Sequence, residues 1–545
     1  MQIVRLFAFL SVELDVSVAH VTAMYLSWST GGLLVALVVM TVVAWLQRRR
    51  QQMGLFKRYG IPGPEPSSVI FGNWKEFRRD PLEVVTEWIR KYGKFFRFYV
   101  GEMPYIVLAD LDMVKQCCVA EGHVFRDRMP MVLEVETFNT SLVGLKGDKW
   151  KKVRSVMNPS FSAVKIKVIS KIMNDCVDIM LAKLDERLCS NETAVDVSVM
   201  AQGLTMDAIA KSVLAWEPDS QRNPDDPFVS SLRKTLTEAD TLILNIAIAF
   251  PPFRTLVRWV FPYVTYGKVF ALISRRLHDV IRARRAEPNV RHFDMLQLML
   301  DEQAKNNRRE SHGDKGRGNC AENGEACDFT ITDEHIVSNC FISLAAGFET
   351  TACTLALVLN ELARAPQEQE KLYVELSSAF PGGVERHVGY DELQSLKRMD
   401  MVVSEALRKN PPLVLFTTRM CNEEITVLGH TIPAGSRLVV PKWSIHRDPE
   451  LWPEPEKFDP ERFNPDNECE RHPASYIPFG IGPRQCMGRK FALLELKTAL
   501  CKLILKYEFS LCPGNEEGVK LKVPLITICP TKNVVLNVKL RNRVA

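Results

Sequence analysis

The residues from Asp333 to Arg364 carry apolar side chains at the spacing of one continuous α-helix of about 32 residues. Thr332 precedes them as a candidate N-cap, acidic residues occupy the first turn, and Pro366 follows the end. At about 1.5 Å per residue, this helix reaches roughly 48 Å. A helix of that length must cross a whole domain, so the rest of the domain has to fold around it.

The middle of this helix contains a polar turn with the sequence AAGFETT at positions 345–351. A glycine, an acid and two hydroxyl residues inside a helix reduce its stability. One interpretation is close packing against a neighbouring helix. The other is a groove in which a small or flat molecule lies against the backbone beside polar side chains. The sequence leaves both interpretations open.

The composition is that of an ordinary globular protein, with 545 residues, 46% hydrophobic and 25% charged. Its 70 basic and 65 acidic residues give a net charge of +5, too small an excess for a dedicated nucleic-acid binder, so no nucleic-acid partner is expected. The 14 cysteines form no CxxC pair, which disfavours a zinc ribbon or a disulfide framework and favours a reducing compartment.

Periodicity predicts a mainly α-helical body with small β-sheets. Helices are expected at residues 162–188 and 491–507, strands at 95–108 and 424–440, and a polar surface loop at 306–327. The apolar stretch 242–263 fits either core packing or a shallow membrane contact through which oily substrates pass. After Pro66 no second linker and no internal repeat interrupts the chain, so residues 67–545 are predicted to form one large domain.

An apolar run at residues 25–46 is long enough to cross a bilayer, since a helix of about 22 residues reaches roughly 33 Å. Three arginines follow at 48–50, and positive charge stays on the cytosolic side of a membrane. We therefore expect an N-terminal segment at 1–24, a single-pass transmembrane anchor at 25–46 and a cytosolic body. A cleaved signal peptide or a buried core helix is the alternative. Residues 47–66, basic and rich in proline, are predicted to form a stiff hinge.

The segment PFGIGPRQCMG at positions 478–488 is the most informative for chemistry. Its glycine spacing does not match a dinucleotide fingerprint, because the third glycine follows the second by six residues. The segment predicts a loop that presents Cys486 directly before an amphipathic helix, where backbone N–H groups and the helix N-terminus favour a thiolate. A nucleophile, a metal ligand and a small buried residue all remain open for this cysteine.

The pattern Phe479-x-x-Gly482-x-Arg484-x-Cys486-x-Gly488 resembles the haem-ligand loop of the cytochrome P450 family. Four further motifs of the family occur in the same order and at similar spacing: WKKVR at 150–154, AGFETT at 346–351, EALR at 405–408 and FDPERF at 458–463. The resemblance covers roughly residues 59–532, and the anchor and hinge are similar to those of the microsomal members. GIPGP at 60–64, the threonine pair at 350–351 and HRDP at 446–449 are most similar to the animal clan of broad-specificity drug- and toxin-oxidising enzymes.

This resemblance implies the cytochrome P450 fold, a single large haem domain behind an N-terminal transmembrane helix. It also implies haem b as the cofactor, with the Cys486 thiolate as the ligand of the metal. The anionic haem propionates need basic and indole donors around them. The positions that match the family here are Arg128, Trp150, Arg154, Arg419 and Arg484. Simple solvation at the surface is the alternative for Arg128 and Arg419.

The same resemblance implies catalytic roles for Thr350 and Glu349. Oxygen activation needs protons, and Thr350 can hold a water while Glu349 feeds protons from solvent. Ala346 and Gly347 lack bulk and are expected to leave the groove beside the cofactor in which O2 and that water fit.

Two further expectations concern the residues that support the cysteine loop and the protein that supplies electrons to the cofactor. Glu405, Arg408 and Arg462 are expected to form a buried ion network that holds the cysteine loop in place. The chain has no flavin or nicotinamide fingerprint, so the resemblance implies NADPH–cytochrome reductase as the electron donor and cytochrome b5 as a second candidate partner. The basic residues expected to dock it are Lys151, Lys152, Arg489 and Lys490. A solvated basic face is the alternative.

The expected function is that of a monooxygenase in the endoplasmic reticulum membrane that hydroxylates or otherwise oxidises lipophilic small molecules, such as xenobiotics, steroids or fatty acids. A reductase-independent haem-thiolate peroxide isomerase is one alternative, which Thr350 and Glu349 disfavour. A non-catalytic haem-based carrier or sensor is another. The substrate pocket is expected to involve residues 129–143, 224–263 and the stretch after Pro411, whose side-chain types do not define one substrate.

Overall fold

The computed structural model describes residues 32–130, 136–237, 241–250, 259–263, 265–287, 289–290, 292–311, 329–467, 471–513, 518–524 and 527–541. The predicted N-terminal segment 1–24 and the first part of the predicted anchor, 25–31, lie outside these residues. So do most of the predicted polar loop and parts of two predicted pocket walls, at 131–135, 238–240 and 251–258.

Helices dominate the described residues. In chain order they are α1 Gly32–Met53, α2 Leu55–Arg58, α3 Trp74–Arg79, α4 Pro81–Tyr92, α5 Leu111–Lys115, α6 Glu136–Asn139, α7 Gly147–Met157, α8 Ala163–Cys189, α9 Val197–Leu214, α10 Pro227–Thr237, α11 Thr241–Ala249, α12 Thr265–Ala286, α13 Met295–Ser311, α14 Asp333–Arg364, α15 Pro366–Ala379, α16 Tyr390–Gln394, α17 Lys397–Lys409, α18 Lys442–Ile445 and α19 Arg489–Lys506. Short 3₁₀ and π turns connect several of them.

The strands are short and form small sheets. They are β1 Phe95–Val100, β2 Met103–Leu108, β3 Ala194–Asp196, β4 Thr418–Met420, β5 Ile425–Val427, β6 His430–Ile432, β7 Arg437–Val439, β8 Tyr507–Leu511, β9 Leu521–Lys522, β10 Cys529–Pro530 and β11 Val535–Leu540. The largest described sheet has the order β1-β2-β7-β4, with β2 and β7 parallel and its other pairs antiparallel. A three-stranded sheet β3-β11-β8 and the hairpins β5-β6 and β9-β10 complete the set. The predicted fold class, mainly helical with small sheets, is confirmed.

The long helix α14 has the bounds predicted from the sequence. The Thr332 hydroxyl accepts a bond from the His335 N–H, and the His335 ring in turn bonds the Thr332 backbone N–H, which caps the first turn from both sides. At the other end, Pro366 begins α15 directly after Ala365. Most of α14 is buried and lies in the largest hydrophobic core cluster, together with α8, α9, α17 and α19. The domain therefore packs around this helix.

Two described helices, α1 and α14, are long and apolar enough to cross a membrane. Helix α14 is a core helix by its burial, whereas the large apolar side chains of α1 are exposed from Leu33 to Val43. Helix α1 also continues beyond Leu46, the predicted end of the anchor, to Met53. The three arginines predicted to follow the anchor therefore lie inside its last turns.

Arg49 connects α1 to the body. Its side chain is fully buried, and its guanidinium group donates to the backbone carbonyls of Val69, Ile70 and Ala249 at 2.9, 2.5 and 2.6 Å. One turn earlier, Trp45 stacks on Phe250 with ring centroids 5.8 Å apart. The end of α1 is thus bound both to the turn that follows the proline segment and to the C-terminus of α11.

The proline segment predicted to be a hinge is bound to the four-stranded sheet. Arg97 of β1 donates to the carbonyls of Ile61 and Pro64 at 3.0 and 3.2 Å and to the Glu65 carboxylate at 3.0 Å. At Gly63 (φ 153°), an added Cβ would lie 2.1 Å from the Arg97 carbonyl oxygen. Glycine therefore allows the chain to pass directly against the sheet edge.

The described residues of the stretch 242–263 are partly buried and partly exposed. Ala247, Ile248 and Ala249 are buried, as core packing requires. Beyond them, Phe250 is 41% exposed and Trp259 is 76% exposed, and further apolar side chains on this side are also open to solvent. Residues 251–258 lie outside the described part of the chain.

Candidate functional site

The cysteine loop has the conformation that its glycines allow. Gly480 and Gly482 both have positive φ, at 78° and 74°. An added Cβ on Gly482 would lie 2.0 Å from the carbonyl oxygen of Cys118, so the loop passes directly over that backbone. The Cys486 N–H donates to the Phe479 carbonyl at 2.9 Å and closes the loop. Cys486 is exposed and stands three residues before Arg489, where α19 begins.

Four cations hold this loop by its backbone carbonyls. The predicted haem-site arginines Arg128, Arg154 and Arg419 are three of them. The fourth is Lys442, at the first residue of α18. The bonds are Arg128 to the Arg484 carbonyl at 3.3 Å, Arg154 to Gln485 at 3.1 Å, Arg419 to Ile481 at 2.8 Å and Lys442 to Pro478 at 3.1 Å. The sequence did not single out Lys442, since a lysine after a short strand carries no distinguishing pattern.

Arg484, within the loop, is held differently. Its side chain is buried and pairs with the Asp127 carboxylate at 3.3 Å, and it also donates to the carbonyls of Arg126, Leu142 and Leu145. The ring of Trp150 lies 4.0 Å from the Arg484 guanidinium carbon. All five residues predicted to surround the propionates therefore contact the loop or one another. Asp127 was not predicted.

The charges in this cluster repel one another. Burial and the neighbouring Arg419 and Arg484 lower the pKa of Arg128 to about 9. Burial, together with the charge of Arg128, lowers the pKa of Lys442 to about 7. Although Cys486 is accessible, desolvation by the protein around it raises the pKa of its thiol, while the Gly488 N–H and the nearby cations oppose that rise. Such a cluster favours an anionic occupant beside a thiolate.

The polar turn of α14 presents different side chains to different neighbours. Ala346 is exposed, and the Thr350 hydroxyl, one turn later, donates to the Ala346 carbonyl at 2.5 Å. These two residues border the same open space. Gly347 faces α9 instead, because a Cβ there would lie 2.7 Å from the Ile209 side chain. Close helix packing accounts for this glycine, and its predicted place in the oxygen groove stays a prediction.

Glu349 also lies against α9. Its side chain is buried, and one carboxylate oxygen accepts a bond from the Gln202 amide at 3.2 Å. Burial raises the pKa of Glu349 to about 7, while the Gln202 bond and the charge of Arg233 oppose the rise. A carboxyl group with this pKa exchanges its proton near neutral pH, as a general acid or base must. Gln202 was not predicted, and a glutamine on a mostly apolar helix gives no reliable signal.

The predicted ion network is assembled, and its Glu405–Arg408 pair is fully buried. Arg408 donates to both carboxylate oxygens of Glu405 at 2.7 and 2.8 Å, and neither side chain is exposed. Arg462 approaches the same carboxylate at 3.5 Å, and the Asp459 N–H donates to it at 3.0 Å. The three residues singled out in the sequence therefore do come together.

A histidine extends this network to the cysteine loop. Arg408 donates to the His446 carbonyl at 2.8 Å, and His446 Nδ1 lies 3.2 Å from the Arg408 carbonyl. His446 Nε2 accepts the N–H of Ile477 at 3.0 Å, directly before the loop begins. Burial lowers the pKa of His446 well below its usual value, so the ring is neutral, and Nδ1 is the donor. In the sequence this histidine is marked only as part of the HRDP segment at 446–449.

The predicted docking residues are not equivalent. Lys151, Arg489 and Lys490 are exposed. Lys152, by contrast, is bonded to the Glu302 carboxylate and is largely buried. A partner that contacts Lys152 would therefore have to break its ion pair with Glu302.

Comparison with known proteins identifies the family. The family model described as cytochrome P450 matches residues 62–538. The chain belongs to the cytochrome P450 family. Three relatives, each matched over nearly its whole length, are Cytochrome P450 3A40 of Oryzias latipes (32% identical over 504 residues, 92% of this chain and 95% of the relative), Cytochrome P450 3A6 of Oryctolagus cuniculus (33% over 497, 90% and 93%) and Cytochrome P450 3A5 of Homo sapiens (32% over 513, 93% and 96%).

This membership confirms the resemblance found in the sequence. The chain is a P450 monooxygenase, and its cofactor is haem with a cysteine thiolate as axial ligand. The residues present fit that group. The loop offers an accessible cysteine at a helix N-terminus, and buried cations around it provide donors for an anion.

Proposed function

We propose that this P450 is anchored in the endoplasmic reticulum membrane with its catalytic domain in the cytosol, and that it oxidises lipophilic small molecules such as xenobiotics, steroids or fatty acids. It uses O2 and electrons from an NADPH-dependent reductase, with cytochrome b5 as a second candidate donor. The observation that carries the proposal is the cluster of cations around the loop of Cys486.

In this proposal Cys486 is the thiolate ligand. When bound, haem with such a ligand activates O2 and inserts one oxygen atom into the substrate. The guanidinium groups of Arg128, Arg154 and Arg419 have donors directed to the loop and to neighbouring carbonyls. Together with Trp150 and Arg484 they form the set that binds the propionates, as the charge of the cluster supports.

Thr350 positions a water in this mechanism. The Thr350 hydroxyl donates its hydrogen bond to the Ala346 carbonyl. The lone pairs of the Thr350 oxygen therefore remain available to accept a hydrogen bond from a water. Glu349 is one residue earlier, about 100° around the helix, and a chain of waters has to join its carboxyl group to the Thr350 groove. The pKa of Glu349, raised to about 7 by burial, supports its role as the proton source.

The position of the anchor supports a lipophilic substrate. The exposed apolar side chains of α1 lie close to the exposed ring of Phe250, because Arg49 and Trp45 bind α1 to the segment that contains Phe250. Trp259 and Tyr263, which are also exposed, follow in the same apolar stretch of the sequence. Exposed apolar groups of this kind are suited to the edge of a bilayer, where apolar substrates concentrate.

The test uses the full chain in phospholipid vesicles with purified reductase and a panel of lipophilic compounds analysed by mass spectrometry. We expect oxygenated products that require NADPH, reductase and O2. Products formed from an added organic peroxide alone would favour the isomerase alternative. In Thr350→Ala, product formed per NADPH consumed should fall while peroxide rises. An unchanged ratio would remove the assigned role of Thr350.

A separate experiment tests whether the reductase docks at the exposed residues Lys151 and Lys490. Charge reversal of Lys151 and Lys490 together should reduce turnover, with the largest defect at low salt because screening weakens the charge interaction. Lys532→Glu is the matched control, since Lys532 is also exposed but lies beside the three-stranded sheet. Equal turnover of the double variant and the control at low salt would contradict docking at this face.

A further inference from the structure

Helix α9 contacts the polar turn of α14 at successive positions. Ile209 of α9 fills the space left by Gly347. One turn earlier on α9, the Thr205 hydroxyl donates to the Phe348 carbonyl at 3.0 Å, in the middle of the turn. Helix α9 therefore sets the position of this part of α14, on the side away from the open space that Ala346 borders.

The next contact along α9 joins two polar side chains. The Gln202 amide nitrogen lies 3.2 Å from the Glu349 carboxylate. Glu349 is 5% exposed, whereas Gln202 is only half-buried. Gln202 is thus the more accessible partner of this hydrogen bond. A hydrogen bond from a neutral amide favours the ionised carboxylate over the protonated acid.

We infer that Gln202 is a positioning residue for proton supply in this enzyme: its amide orients the Glu349 carboxyl group and stabilises the carboxylate form. The inference rests on the role of Glu349 in the proposed function. A carboxylate is the form that takes a proton from solvent, and the acid is the form that gives one up to a water near Thr350. The Gln202 bond sets the balance between these two forms.

Few of the described groups near Glu349 affect the balance between its carboxylate and its protonated form. The positive charge of Arg233, on α10, also favours the carboxylate. Cys353 on α14 and Cys529 on β10 face Glu349 as well, but burial raises the pKa of both thiols, that of Cys529 to about 11. Both are neutral near pH 7, so the bond from Gln202 and the charge of Arg233 are what oppose the effect of burial.

The experiment compares the holoenzyme with its Gln202→Met variant, which keeps the length of the side chain and loses the donor. The carboxyl C=O stretching band of Glu349, assigned by its loss in Glu349→Gln, is titrated by infrared spectroscopy in the resting enzyme. We expect a midpoint near 7 in the parent, and in Gln202→Met a midpoint higher by roughly half to one pH unit, the equivalent of one hydrogen bond. The pH at which product per NADPH is half-maximal should move in the same direction.

Ile209→Val is the matched control. It loosens the same helix contact without touching the carboxyl group, so its midpoint should equal that of the parent enzyme. An equal midpoint in the parent and in Gln202→Met, or an equal shift in Ile209→Val, would overturn the inference. Full coupling in Glu349→Gln would instead refute the proposed role of Glu349, so the two failures are distinguishable.

Discussion

Replacing Glu405 with alanine removes the carboxylate at the centre of the buried ion network. Arg408, fully buried, loses two bonds to that carboxylate, and Arg462 loses its nearby negative charge. The Asp459 N–H loses its acceptor as well. Removing one partner of a buried ion pair costs about 3–5 kcal/mol, because the remaining charge has no compensation. Such a cost is a large part of the roughly 5–15 kcal/mol by which a folded protein is stable.

Loss of the Glu405 carboxylate should affect the cysteine loop through His446, which connects Arg408 to the start of that loop. The backbone carbonyl of His446 accepts from Arg408, and its ring accepts from the N–H of Ile477 at the start of the cysteine loop. We therefore expect Glu405→Ala to retain little haem, measured as the absorbance of the reduced CO complex per chain. In any folded fraction, the free energy of unfolding in urea should fall by about 3–5 kcal/mol.

Glu450→Ala is the matched control for this measurement. Glu450 is 75% exposed and pairs with Lys94 at the surface, where an ion pair contributes less than about 1 kcal/mol. It should keep its haem and its free energy of unfolding. A Glu405→Ala protein with full haem and an unchanged free energy of unfolding would refute the reasoning, since Arg408 would then tolerate burial without its carboxylate.

Two further predictions concern the loop and the anchor. Gly482→Ala should lose haem, measured by the same CO absorbance, because its new methyl group would meet the Cys118 carbonyl at 2.0 Å; Gly429→Ala, also at positive φ but with no atom within 4 Å, should keep it. Arg49→Met leaves three backbone carbonyls without their donor, so hydrogen exchange at residues 68–72 and 247–250 should become faster. Unchanged exchange there would show that Arg49 does not hold α1 against the body of the domain.

The elements predicted well are those that local rules determine. The bounds of α14 follow from a capping threonine, a regular apolar period and a proline, all of which act within a few residues. Residues Glu405 and Arg408 were also predictable as a pair, because i, i+3 spacing places them on one face of α17. The family motifs supplied the third member, Arg462, which no local rule connects to them.

The parts that were not predicted depend on contacts between distant segments. The sequence pattern predicts that Arg49 is a charge following a membrane anchor, but its burial depends on carbonyls that lie about 20 and 200 residues away in the chain. Lys442 and Gln202 have no local pattern at all, and only the packing of α18 and α9 gives them partners. Gly347 matches the family motif that predicts an oxygen groove, yet the space beside it is filled by Ile209 of α9.

The cations around Cys486 explain why folding of the loop and binding of the cofactor should be coupled. Arg128, Arg419 and Lys442 each donate to backbone carbonyls, so they hold the loop or its surroundings in place. Burial lowers the pKa values of Arg128 and Lys442, and repulsion between the neighbouring positive charges lowers them further. An anionic cofactor in the proposed site offsets that repulsion and thereby stabilises the loop that supplies its ligand. A group that binds only the folded chain shifts the folding equilibrium towards it, so haem is expected to act as a structural component of this domain as well as its reactive centre.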